Sequence, residues 1–191
     1  SDVRATAELY VQRPVASAPR RVFESHGDVA WPQIGPGGRI AYVSFVRDAT
    51  GDACLLSPDG AEGPCLTGIE TSELQVGWLP KSARLAVLRR SGLHGDFRID
   101  VFDRSGGSAE TLLERNAVGI AVDPQERWLA YIPLSRSQER VGVTFANRVG
   151  AGAELVRLAD EKRVRLDPGL PGRTGYLAFG PGGTHLYFSQ Y

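Results

Sequence analysis

Methionine is missing from this chain altogether, and lysine occurs only as Lys81 and Lys162 among 191 residues. Without a methionine the sequence does not begin at its own start codon, so it is expected to be a processed mature form or a piece of something longer. No apolar run approaches the ~20 residues that a membrane helix needs, and no secretory leader pattern opens the chain. Charge of either sign is not in surplus: 22 basic residues face 22 acidic ones. Nucleic-acid binding needs a basic excess or a basic stripe. Arg20-Arg21 and Arg89-Arg90 are isolated pairs that read as solvated surface, so no nucleic-acid partner is expected. The dominance of arginine over lysine is ascribed to genomic base composition.

Catalytic constellations are missing too. There is no Gly-x-Ser-x-Gly elbow, phosphate loop, Cys-x-x-Cys or His-Glu-x-x-His. Gly35-Pro36-Gly37 is followed by Ile40 where a dinucleotide fingerprint needs its last glycine. His26, His94 and His185 fall on separate stretches and read as surface or turn residues. Asp48-Ala49-Thr50-Gly51-Asp52 holds two carboxylates in a glycine loop, but without the ligand spacing of a calcium-binding helix–loop–helix. The chain is therefore expected to be no enzyme and to carry no cofactor and no metal.

Two cysteines are present, and their positions are informative. Between Cys54 and Cys65 lies Ser57-Pro58-Asp59-Gly60, strong turn chemistry. A hairpin centred between Asp59 and Gly60 pairs residues whose numbers sum to 119, which sets Cys54 opposite Cys65. A non-hydrogen-bonded pair would bring the two Cα atoms to about 4.5 Å, toward the short end of the disulfide range. Either the two are bridged, which favours an oxidising compartment, or they are free buried thiols.

The chain repeats itself. Ile34-Gly35-Pro36-Gly37-Gly38-Arg39-Ile40-Ala41-Tyr42 aligns with Trp78-Leu79-Pro80-Lys81-Ser82-Ala83-Arg84-Leu85-Ala86, with Val122-Asp123-Pro124-Gln125-Glu126-Arg127-Trp128-Leu129-Ala130, and with Phe179-Gly180-Pro181-Gly182-Gly183. The prolines are spaced 44, 44 and 57 apart. A period near 44 fits the ~40–45 residues of a four-stranded propeller blade, whereas proline and glycine inside every unit exclude helical repeats. Each unit reads as strand A, turn, strand B, loop, strand C, turn, strand D, in internal blades of about 28–68, 74–114 and 118–159. In the third unit Val141–Phe145 is the expected C strand and Glu154–Leu158 the D strand. The half-units 8–25 and 176–191 are expected to pair into a shared closing blade. The predicted fold is thus all-β, a single β-propeller domain over 1–191 with four blades; a segment of a larger ring is the alternative. Trp31, Trp78 and Trp128 in the A or B strands are expected to pack between blades.

The Pro-Gly/Asp-Gly turn followed by Ile-Ala-Tyr, with Ser57-Pro58-Asp59-Gly60 and Cys65-Leu66-Thr67 after it, resembles the repeat of TolB-like propellers over nearly the whole chain. The serine usual before the anchor proline is replaced by Gly35, Leu79, Asp123 and Gly180, so the copies have drifted. The resemblance implies a periplasmic or otherwise extracytoplasmic protein that makes protein–protein contacts at the cell envelope. Similar blades also form the substrate-gating propeller of prolyl-oligopeptidase-type enzymes.

The reading that follows is a non-enzymatic interaction module, an accessory or scaffold subunit of a larger envelope or membrane-bound complex. Its partners would be other protein subunits, and it would have no transmembrane segment of its own. The alternatives are the gating portion of a larger peptidase and a small-ligand or glycan binder. The A–B turns are tight, while the B–C loops and the proline-stiffened segment 167–174 are charged and free to diversify. The candidate partner-binding residues are therefore Arg47, Asp48, Asp52, His94, Asp96, Arg136, Glu139, Arg140 and Arg173.

Overall fold

Each of the four anchor prolines stands where the chain reverses between the first two strands of a sheet. In the computed structural model, which describes residues 6–12, 18–47, 49–68, 71–91, 96–103, 105, 109–114, 117–134, 152–166 and 174–190, sixteen strands form five antiparallel sheets. Sheet I is a hairpin of β1 (Ala7–Val11) and β2 (Arg20–Ser25). Sheet II runs β3 (Val29–Ile34), β4 (Ile40–Ser44), β5 (Asp52–Leu56) and β6 (Glu62–Cys65). Sheet III runs β7 (Thr71–Leu79), β8 (Arg84–Ser91), β9 (Phe97–Phe102) and β10 (Ala109–Glu114). Sheet IV runs β11 (Ala117–Val122), β12 (Trp128–Pro133), β13 (Ala153–Arg157) and β14 (Arg163–Leu166), and sheet V is the hairpin of β15 (Thr174–Phe179) and β16 (Leu186–Gln190).

The sequence alternation decides how the sheets stack. In β4 and β5, Ile40, Tyr42, Cys54 and Leu56 face sheet I, where Leu9, Val11 and Phe23 cover them. Ala41, Val43, Ala53 and Leu55 face the other way and meet Val76, Trp78, Leu85, Val87 and Phe102 of sheet III. Sheet III likewise turns Ala86, Leu88, Ile99 and Val101 toward Ile120, Leu129, Tyr131 and Val156 of sheet IV. Side chains alternate faces along a strand, so a strand buried on both faces must be apolar throughout. Burying each large aliphatic side chain contributes about 1.5–3 kcal/mol. The first strands of sheets II to V also break register at a bulge, between Ala30 and Gln33, Glu73 and Gln75, Val118 and Ile120, and Thr174 and Leu177. Such bulges bend and re-aim a strand.

Two expectations need correction. The four-blade propeller with a closing blade shared by the chain ends does not form. Among the described residues the sheets are five separate ones, none closed into a barrel or a curled blade arrangement. β1 pairs with β2, and β16 pairs with β15. The physical reason lies in sheet I, whose apolar side chains are spent on the outer face of sheet II; Phe23 meets Tyr42 with ring centroids 5.5 Å apart. The second correction concerns sheet IV. Ala153–Arg157 pairs with β12 and is the third strand, and Arg163–Leu166 is the fourth. The expected strand at 141–145 lies outside the described residues.

The cysteine register agrees with the hairpin reading. Cys54 stands opposite Cys65 and is bonded to it, with Cα atoms 3.9 Å apart. Leu66 N donates to Ala53 O at 2.7 Å, which makes 53/66 the hydrogen-bonded pair and 54/65 the neighbouring non-hydrogen-bonded one. The three tryptophans diverge in role. Trp78 is buried between sheets II and III. Trp31 meets Tyr176 of sheet V at 6.4 Å, and Trp128 carries the Arg157 guanidinium 5.1 Å above its ring.

Candidate functional site

At the end of sheets II and III where the second strand leads into the third, charged residues interrupt the apolar strands. Asp52 opens β5, Glu73 lies in β7, and Asp100 lies in β9 between Ile99 and Val101. All three are buried, at 1%, 1% and 0% exposure. Three arginines answer them. Arg47 reaches Asp52 through Nε at 2.9 Å and Nη2 at 3.3 Å. Arg89 donates to Asp100, and Arg98 Nε lies 3.1 Å from the same Oδ2. Arg89 also lies over the Phe102 ring, 5.5 Å from its centroid.

The loop between β4 and β5 is tied down by sheet III. Thr50 O accepts from Glu73 N and from Ser72 Oγ, each at 3.1 Å. Thr67 Oγ1 accepts from Ala53 N at 3.0 Å, and Arg47 Nη2 reaches Thr67 O at 3.5 Å. The result is a guanidinium on Arg47 that is half-exposed yet held in a fork by a buried carboxylate. Paired, charge-assisted bonds fix the plane of an arginine, so little ordering remains to be done when a partner arrives.

Glu73 is the unusual member. Oε1 accepts from Thr71 Oγ1, and Oε2 has no hydrogen-bond partner among the described residues. Burial pushes its carboxyl up to about 7, with the nearby Asp52 charge adding to the rise; the Thr71 hydrogen bond and Arg89 oppose it. An uncompensated buried carboxylate is costly, and taking up a proton relieves it. No group of three or more His, Cys, Asp or Glu able to hold a metal ion occurs among the described residues. The cluster is thus suited to holding a loop and presenting a cation.

Of the nine residues singled out from sequence, the structure brings Arg47 and Asp52 together, with Asp52 buried beneath Arg47. Asp96 is exposed just before β9, where its carbonyl accepts from Ser91 N at 3.4 Å. Asp48, His94, Arg136, Glu139, Arg140 and Arg173 lie outside the described residues. Sequence reading missed Glu73, Arg89, Arg98 and Asp100. The available signal was a charged residue at an inward position of an apolar strand, as at Asp100 between Ile99 and Val101.

No helix among the described residues is long and apolar enough to cross a membrane. No protein-family model matches the chain, and no curated protein matches it in sequence. Solved structures do. TolB from Acinetobacter baumannii is similar at 13% identity over 95% of this chain and 42% of its own, with a TM-score of 0.69. A nidogen/laminin complex is similar at 14% identity over 97% of this chain and 70% of the matched chain, TM-score 0.69. Dipeptidyl peptidase 4 of Porphyromonas gingivalis is similar at 13% identity over 85% of this chain and 22% of its own, TM-score 0.60. This chain therefore spans less than half the length of that TolB and about a fifth of the peptidase. At these identities the likeness is one of fold, and it agrees with the TolB resemblance carried by the turn motifs.

Proposed function

With that likeness of fold as the premise, we propose that the chain is a non-enzymatic protein–protein interaction module, an extracytoplasmic accessory or scaffold subunit of a larger envelope complex. The observation that carries the reading is the TolB likeness along 95% of the chain. The Cys54–Cys65 disulfide supports an oxidising compartment. The fork-held Arg47 supports the B–C loop end as the contact surface, because arginine is enriched among residues that dominate interfaces. A second reading, the gating portion of a larger peptidase, is favoured by the match to dipeptidyl peptidase 4.

Photo-crosslinking in the producing cell separates the two. A crosslinker replacing Arg47 should capture a protein partner in the envelope, and one at Val164 on β14 should not. Arg47→Ala should weaken the purified complex about tenfold. Crosslinks confined to Val164 would remove the assignment of the face. A reading frame that continues into an α/β hydrolase segment with peptidase activity would replace the scaffold reading.

A further inference from the structure

The first strands of sheets II to V carry equivalent residues five positions before their anchor prolines: Trp31, Gln75, Gly119 and Tyr176. The middle two serve the fold. The Gln75 amide bonds both the N–H and the carbonyl of Ile120, and Gly119 takes a left-handed φ of 72°. The outer two meet each other. The Trp31 and Tyr176 rings lie 6.4 Å apart, centroid to centroid, with their planes inclined at 48°. Trp31 holds a φ of 54°, where a bulky L-residue is strained. Sheet IV meets the same demand with a glycine. Burial does not offset the strain, since Trp31 is 40% exposed and Tyr176 73%. Strain of this kind clusters at ligand contacts.

The two end faces of the stacked sheets differ. The outer face of sheet I is charged and internally satisfied: Arg21 pairs with Glu8 and Glu24, and Tyr10 OH donates to Glu8. In sheet V the half-buried Leu177, Phe179, Leu186 and Phe188 take the face toward sheet IV. Tyr176, Ala178, Tyr187 and Ser189 alternate with them on the exposed outer face, and none of the four is charged. Ala178 stands opposite Tyr187 and two residues from Tyr176, so a small side chain separates two exposed rings. His185 backs Tyr187, with ring centroids 6.4 Å apart. The row thus offers two notches, one between Trp31 and Tyr176 and one over Ala178.

Its polar groups are chiefly donors. An indole N–H can only donate. Among the described residues, Trp31 Nε1 and the Tyr176 and Tyr187 hydroxyls have no hydrogen-bond partner, and Ser189 Oγ already accepts from Tyr176 N at 3.1 Å. A ligand for this row is apolar in its side chains and rich in acceptors. A polyproline II segment is both: proline has no N–H, and the helix makes no internal hydrogen bonds, so every carbonyl seeks a donor. The segment is also ordered before it binds. An oligosaccharide needs acceptors for its own hydroxyl protons, which this row supplies only through the tyrosine hydroxyls.

We propose that the outer face of sheet V, together with Trp31, is a docking surface for an extended proline-rich segment of a partner protein. Proline rings seat in the two notches, and backbone carbonyls accept from Trp31 Nε1 and the tyrosine hydroxyls. The proposal rests on the interaction-module reading for the existence of a partner, and it does not use the Arg47 surface.

The probe is decaproline, titrated into the ¹⁵N-labelled chain, with a glycine–serine decapeptide as a flexible control and cellohexaose as a sugar. The Trp31 indole and Ser189 amide resonances should move with decaproline, and both controls should bind at least about tenfold more weakly. Trp31→Phe keeps a ring and removes the donor, and should weaken decaproline about fivefold. Tyr187→Ala, at an exposed position, should weaken it similarly without disturbing the other resonances. Trp31→Gly relieves the strained φ, so it should abolish binding with no fall in the urea midpoint. Arg47→Ala should leave decaproline affinity unchanged, which separates failure of the Arg47 surface from failure of this one. Equal binding of the glycine–serine peptide, tighter binding of cellohexaose, or a large loss of stability in Trp31→Gly overturns the proposal.

Discussion

The seam between sheets II and III and the seam between sheets III and IV are built from the same repeat and close in different ways. Both bury a continuous apolar layer. In the III/IV seam, the Gln75 amide donates to Ile120 O at 3.0 Å and accepts from Ile120 N at 2.8 Å, and Glu126 closes the turn end. The II/III seam sets the large Trp78 ring over Gly35 and adds the bonds from Trp78 Nε1 to Gln33 O and from Glu73 N and Ser72 Oγ to Thr50 O, with a cleft lined by Pro36, Gly37, Arg39, Trp78 and Ala83 at one end and buried Glu73 at the other. The repeat sets Ala117 in the III/IV seam where Glu73 stands in the II/III seam. Apolar area makes the two seams adhere, and a few polar residues decide which one is sealed and which responds to its surroundings.

The most damaging way to break this contrast is Gly35→Ala. The new methyl would overlap the buried Trp78 ring, and a destabilisation of about 3 kcal/mol is expected by urea unfolding, with a shift in Trp78 emission. At Gly180 of sheet V a Cβ would meet Tyr187 Cε2 at 3.2 Å, a contact that the exposed tyrosine can relax, so Gly180→Ala should cost under about 1 kcal/mol. Equal losses at both glycines would show that the Trp78 seam is not the tight one.

Acidity offers a gentler test. Glu73 holds its proton up to about 7 when folded, against an ordinary 4.5. Folding therefore takes up a proton between those values, and stability should fall as pH rises through this window. Below about 4.5 the contribution is fully present, and above about 7 it is lost. With allowance for solvent screening, the loss is on the order of 2 kcal/mol. Glu73→Gln should flatten that part of the stability–pH curve, and an unchanged curve would remove Glu73 as its source. The smallest effect is expected at the sealed seam. Glu126→Gln weakens three charge-assisted bonds, from Lys81 N, Ser82 N and Ser82 Oγ, on an exposed turn, costing about 1 kcal/mol, and should speed amide exchange at Lys81 and Ser82 while leaving Gly37 unchanged.

How much was legible in advance follows from the range of the forces involved. The turns at Pro36, Pro80, Pro124 and Pro181 were readable because proline and glycine act on their own dihedrals. The Cys54–Cys65 register was readable because a tight turn sets the pairing of the strands on either side. Sheet IV was misread because Ala153–Arg157 has the same alternation whether it is a third strand or a fourth, and only pairing with Trp128–Tyr131 distinguishes them. The Arg47–Asp52 loop was legible as charged. That Asp52 is buried, and that Glu73 lies near enough to feel its charge, depends on two strands from different sheets.

The sequence by itself determined an all-β chain, its repeat, its reversals and the register that sets Cys54 opposite Cys65, since each of these is written within a few dozen consecutive residues. Tertiary structure alone decided that the two terminal hairpins stay apart as separate sheets. The N-terminal hairpin could bury Leu9, Val11 and Phe23 against the outer face of sheet II, and that gain depends on which surfaces are bare once the strands have folded. The same holds for the open cleft beside Trp78 and the half-compensated carboxylate of Glu73. A gap or an unpaired charge is a relation between distant segments, and it comes into being only when they meet.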